Sequence, residues 1–253
     1  IQIFSRADRP LDYEPVASQK DGQELIEQPG KSSALLRFLR GLLMALILIQ
    51  ALFFAIHAYR IIQFPHDVDN GEGFILWQSL QYAEGELPYQ PIDEPPHLVS
   101  NYPPLYPLLC SIGTGQLGPT FAVGRSLSTA CSILICLVIM AMIFQQTRQW
   151  APAMMGLYFI GTYHAYDWGA FHRVDMLALF FSVSALALCV AESRWLWVLL
   201  LSVLALFTRQ TALAAPLAIG FFWISQLRVR DALLYWICLA GIAAGGSAAL
   251  HFA

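Results

Sequence analysis

The chain has 253 residues; 57% are hydrophobic, 13% aromatic and only 12% charged, with a mean hydropathy of +0.56. A soluble domain carries about 25% charged residues, so the composition excludes a water-covered soluble enzyme and a disordered chain. The net charge of −3 offers no basic face to nucleic acid, and five cysteines, set singly in apolar runs without a CxxC pair, form neither a disulfide framework nor a zinc site and read as packing residues.

Residues 1–33 hold Arg6, Arg9, Lys20 and Lys31 beside Asp8, Asp12, Glu14, Asp21, Glu24 and Glu27. With little apolar periodicity they read as a disordered polar tail, without a signal-peptide pattern. The start at Ile1 and the end at Ala253 inside an apolar run suggest a fragment. The first apolar run, Gly41 to Tyr59, is broken only by Gln50 and His57. It matches the roughly 20 residues needed to cross a bilayer. Lys31, Arg37 and Arg40 flank its start, and the positive-inside rule puts the N-terminus in the cytoplasm.

The loop that follows, 65–120, opens with Asp67, Asp69, Glu72, Glu84, Glu86, Asp93 and Glu94 and no Lys or Arg as far as Tyr102. That is the signature of the outer side. Further apolar runs cover 121–144, 151–165, 174–191, 195–208, 212–227 and 232–252. Pro104 to Leu117 is short and reads as a juxtamembrane helix. Parity agrees: if this segment does not span, Arg148, Arg194, Arg228 and Arg230 all fall in cytoplasmic loops. The expected fold is an all-α polytopic membrane domain over 34–253, with about seven spans. Arg60, Arg125, Arg173 and Arg209 then lie at the outer ends of spans. They break the charge rule and mark either interfacial snorkelling or an anion site.

In the outer loop, Asp69-Asn70-Gly71 leads into an amphipathic run with Leu76, Leu80 and Ala83 on one face, suited to the membrane interface. Pro103 and Pro104 open a second short helix. Asp69 and Glu72 have the spacing of a capping box; the alternative is a carboxylate presented to substrate, for which Asp67 competes. HDVD is an incomplete, oxygen-rich metal motif, and His66, His97, His164 and His172 lack metal spacing and read as interfacial hydrogen-bonding groups.

The order of Asp69-Asn70-Gly71-Glu72, Ala83-Glu84-Gly85 and Tyr102-Pro103-Pro104-Leu105 after a first span resembles the GT-C superfamily of polytopic glycosyltransferases. The nearest likeness is to its protein O-mannosyltransferase and aminoarabinose-transferase branch. Gly124-Arg125-Ser126-Leu127, Arg173-Val174-Asp175-Met176-Leu177 and Thr208-Arg209-Gln210-Thr211 with Ala214-Ala215-Pro216 extend the resemblance, which covers roughly 35 to 230. It implies transfer of a sugar from a polyprenyl-phosphate carrier to a lipid, glycan or protein acceptor at the outer face of the plasma or inner membrane. It also implies inversion at the anomeric carbon, and further spans beyond this chain.

Such transfer needs a carboxylate to take the acceptor proton and cations to stabilise the leaving phosphate. Asp69, supported by Asp67 or Glu72, answers the first need. Arg173 and Arg209, with Arg125 as a further candidate, answer the second, and Asp175 orients Arg173. No metal ligands are assigned, and assistance by a divalent cation stays open. The rivals are a transporter, which would carry ionisable groups at the membrane midplane, and a non-catalytic assembly subunit. The spans carry almost no such groups.

Overall fold

A computed structural model describes residues 29–252 apart from 91, 92, 94–96 and 99. The expected tail therefore lies outside the described residues as far as 28, as does Glu94. The chain divides into two units, Ile1–Leu42 and Leu43–Ala253; every group discussed below lies in the second. Among the described residues the fold is all helical, 79% helix without strands.

Helix α1 spans Pro29–Gln63, α2 Asn70–Glu84, α3 Leu105–Leu117 and α4 Ala122–Thr147. Short helices α5 (Trp150–Ala153) and α6 (Tyr163–Trp168) flank a 3-10 segment, Met154–Gly161. They are followed by α7 (Asp175–Val190), α8 (Trp195–Thr208), α9 (Ala214–Ser225) and α10 (Val229–Phe252). Three of these, within α1, α4 and α10, are long and apolar enough to cross a membrane. At 1.5 Å per residue α7, α8 and α9 rise only about 24, 21 and 18 Å, and they are apolar but short.

Polarity is distributed for an apolar solvent. Leu46, Ile49, Phe53, Ile133, Leu137, Leu196, Trp197, Phe221 and Ile237 are exposed. Ser79, Ser128, Ser132, Ser202 and Thr208 are buried, and each hydroxyl donates to a carbonyl one turn back or to a neighbouring segment. Outward apolar faces of this extent have no place in water, whereas lipid demands that polar groups be satisfied inside. This is the pattern of a membrane protein. Of the two polar residues of the first apolar run, Gln50 lies where a Cβ on Gly161 would stand, and the His57 ring stacks on Tyr166 at 4.7 Å while its buried Nε2 has no hydrogen-bond partner among the described residues.

The run at 151–165, expected as one helix, is broken. Pro152 falls in the first turn of α5, where its missing N–H is tolerated, and from Met154 the chain continues as the 3-10 segment, which rises faster per residue. Residues 148–173 climb back along α4. Gly156 sits against it so closely that a Cβ would meet Met140 N at 2.8 Å and Cys136 O at 3.0 Å. Ser132 Oγ then bonds Gly169 O at 3.0 Å, and Ser128 Oγ bonds Arg173 O at 3.1 Å. The traverse returns the chain to the N-terminal end of α4.

Three apolar clusters hold the bundle. One joins α7, α8, α9 and α10 through Ala185, Val198, Ile219, Trp223 and Tyr235. Another joins α2, α3, α4 and α7 through Ile75, Tyr106, Cys131, Ile135 and Leu177. The third sets Phe54 and Ala58 of α1 against Cys136 and Ile160. Together they gather the N-termini of α2, α4 and α7 and the C-terminus of α8 at one end. Arg148, Arg194, Arg228 and Arg230 follow from the connections at the other.

Candidate functional site

Asp69 is the N-cap of α2. Its backbone is extended (φ −129°, ψ 134°), and Oδ2 accepts from Gly71 N at 3.1 Å. The same oxygen accepts from Arg173 Nη1. Gly71 permits this meeting, because a Cβ there would stand 2.7 Å from that nitrogen. Glu72 is not the second half of a capping box. Its Oε2 accepts from Val68 N at 2.8 Å, one residue before the cap.

Arg173 lies just before α7. Its Nε donates to Asp175 Oδ2 at 3.3 Å, and its guanidinium sits 4.5 Å from the centre of the Trp168 ring. Arg209, which closes α8, pairs through Nη1 with Asp175 Oδ1 and through Nε with Thr211 Oγ1 at 3.0 Å. Asp69, Arg173, Asp175 and Arg209 thus form one chain of alternating charge. Arg209 is its open end, with a side chain 41% exposed against 14% for Arg173. Asp175, in the first turn of α7, also complements that helix dipole. Asp67 is exposed and makes no ion pair among the described residues.

Glu72 and Arg125 belong to a different structure. Both side chains are completely buried. Arg125 Nε and Nη2 hold the two Glu72 oxygens at 2.9 and 2.6 Å. Nη1 donates to the carbonyls of Ile61 and Phe64, and Nη2 to that of His66. A guanidinium has five N–H donors, and all are used. Glu72 Oε1 further accepts from His172 N at 2.7 Å. Burial alone would raise the Glu72 carboxyl, but the Arg125 hydrogen bonds and those from His172 and Val68 outweigh it and hold the group below the usual carboxylate range. Neither residue presents an atom to a ligand. The sequence reading gives Glu72 as support for the base and Arg125 as a carrier contact; the structure engages both in contacts that pin α1, α2, α4 and the 171–174 turn together.

His172 was expected at an interface and is instead fully buried. Its ring lies on Gly124, where a Cβ would come within 1.9 Å of Cδ2, and beside Tyr106 and Phe121. Both ring nitrogens lack a partner among the described residues. Burial is the main cause that lowers the imidazole to about 4, so it is neutral.

Two cavities meet at Asp175 and Arg209. A polar one of about 300 Å³ is lined by His164, Trp168, Arg173, Asp175, Met176 and Arg209. An apolar one of about 440 Å³ runs between α7 and α9 under Arg209 and Thr211. Ala178, Ser182 and Leu186 line it at successive turns of α7, so it descends about 12 Å from the charged end. His164 and Trp168 were not among the expected site residues. Their signal was the aromatic cluster Tyr163–Trp168 just ahead of Arg173. Among the described residues no three His, Cys, Asp or Glu side chains converge as metal ligands. Comparisons with protein-family models, curated proteins and solved structures find no match to this chain.

Proposed function

We propose that the chain is part of an integral membrane glycosyltransferase of the GT-C type, moving a sugar from a polyprenyl-phosphate carrier to an acceptor at the outer face of the plasma or inner membrane. The observation that carries the reading is the junction of the two cavities. An apolar trough suits a prenyl chain, and at its head Arg209 and Arg173 suit a phosphate. The polar cavity beside them has room for a sugar.

On this reading α1, α4, the 150–168 return, α7, α8, α9 and α10 are the seven spans. The N-terminus is cytoplasmic and the Asp69 end faces out. Asp69 takes the proton of an acceptor hydroxyl or amine as that atom bonds the anomeric carbon. The sugar–phosphate bond breaks, and the phosphate leaves into the field of Arg173 and Arg209. Asp67, exposed two residues away, is the alternative base. In the resting state Arg173 is engaged by Asp69; an arriving phosphate competes for it and leaves the carboxylate free to accept the proton.

The test is a transfer assay on the full-length protein with a panel of polyprenyl-phosphate sugars and labelled-product detection. Turnover that fails in Arg173→Ala and Arg209→Ala supports the reading. Absence of turnover with every donor contradicts it.

A further inference from the structure

A third cavity, of about 330 Å³, lies on the other side of the α8–α9 connection. Its rim is Tyr89, Asn101, Tyr102 and Gln210, and Leu206 and Phe207 form its apolar floor. The connection between α8 and α9 separates it from the charged site. Arg209 is extended (φ −149°, ψ 116°), and its carbonyl accepts from Ala212 N at 3.0 Å to close a turn over Gln210 and Thr211. Arg209 and Thr211 line the apolar trough, while Gln210 lines the third cavity.

Among the described residues the lining contains no Asp, Glu, Lys, Arg or His. Its polar groups are amides and hydroxyls. Gln210 Nε2 donates to Asn101 O at 2.8 Å, which holds the rim loop to α8. The Tyr89 hydroxyl donates to Tyr102 O at 3.0 Å. Burial pushes the Tyr89 phenol far above its ordinary range, so it stays uncharged. Asn101 and Gln210 are exposed and line the cavity, and the Asn101 side-chain amide and the Gln210 carbonyl oxygen have no protein partner among the described residues, which leaves them as neutral acceptors and donors. Phe207 packs on α10 where a Cβ on Gly246 would stand 2.2 Å from its ring, and Ala243, one helical turn before Gly246, also lines the cavity. Polarity thus falls from the amide rim to an aliphatic and aromatic floor.

We infer that this cavity binds an uncharged, hydroxyl-rich headgroup carried on an apolar chain, a neutral glycolipid. Amide and tyrosine groups match sugar hydroxyls, aromatic rings match the apolar faces of a pyranose, and the floor takes the first methylenes of the chain. A lipid phosphate would lose its hydration there without gaining a cation. As the acceptor side of the transfer reaction the cavity rests on the reading above; as a binding site it does not.

The experiment uses the full chain in phosphatidylcholine nanodiscs and two probes below their micellar concentrations, octyl β-glucoside and octyl phosphate, each followed by saturation-transfer NMR. Octyl glucoside should bind the wild type. It should weaken about tenfold in Gln210→Leu, disappear when Ala243→Trp fills the floor, and be unchanged in Arg209→Ala. Octyl phosphate should show the reverse dependence. Octyl glucoside that fails to bind, or that binds Gln210→Leu and Ala243→Trp as it does the wild type, overturns the inference. Octyl glucoside binding that depends on Gln210, in a protein inactive with every sugar donor, supports the site while contradicting the transferase reading. Sugar transfer with glucoside binding indifferent to Gln210 and Ala243 does the opposite.

Discussion

Arg173 reaches back across 104 residues to bond the carboxylate oxygen of Asp69 that also caps α2. A helix start, an ion pair and, through Asp175 and Arg209, the charged end of the apolar trough are therefore one structure. The link depends on Gly71, since a Cβ would stand 2.7 Å from the Arg173 nitrogen. Gly71→Ala should displace Arg173 without altering any charge. We expect octyl phosphate affinity to change severalfold in this variant while its melting temperature moves little. Unchanged phosphate binding would show that the Asp69–Arg173 contact does not govern the anion site.

Glu72 and Arg125 predict a different outcome. Removing one partner of a buried pair leaves the other charge uncompensated and costs about 3–5 kcal/mol. Glu72→Gln and Arg125→Met should therefore lower thermal stability sharply, and activity should fall only with the folded fraction. A stable Glu72→Gln protein with normal cavities and no turnover would instead return Glu72 to the chemistry.

His172 gives a pH signature. Its imidazole titrates near 4 when folded against an ordinary 6.5, so the unfolded chain binds the extra proton between those values. Stability contributed by the neutral ring is complete above about 6.5 and is lost as pH falls toward 4. Glu72, also held low, adds a loss in the same direction at the acid end. Thermal melts from pH 7.5 to 4 should slope downward, and His172→Phe should flatten the upper part of that slope. An identical slope in the variant would assign the acid lability elsewhere.

Orientation is tested at residues the fold leaves exposed. Glu86 follows α2 and Gln146 lies near the end of α4. In a background without native cysteines, an impermeant thiol reagent applied outside should label Glu86→Cys and not Gln146→Cys. The reverse pattern would invert the topology.

Much of this was legible in the sequence, for local reasons. Asp69-Asn70-Gly71 announces a capped helix, and Pro103-Pro104 announces the start of α3 at Leu105. The acidic loop and the basic connections sort themselves to opposite ends. What stayed hidden depends on distance along the chain. Nothing within a window distinguishes Arg125, completely buried on Glu72 53 residues away, from Arg209, which is partly exposed beside a cavity. Both read as cations at span ends. The 3-10 return was hidden because apolar composition does not fix helix type. It accompanies the close approach of Gly156 to the α4 backbone, which only the packed bundle reveals.

The most direct test of the central claim compares transfer rates and melting temperatures of the wild type, Asp69→Asn and Asp67→Asn with a polyprenyl-phosphate sugar donor. Asparagine caps a helix about as well as aspartate, so the melting temperature of Asp69→Asn should stay near that of the wild type. Because an amide cannot accept the proton, its turnover should fall by roughly 10²–10⁴-fold, with Asp67→Asn affected far less. Wild-type turnover in Asp69→Asn with loss in Asp67→Asn would move the base by two residues. Full activity in both variants would contradict the assignment of these carboxylates to catalysis.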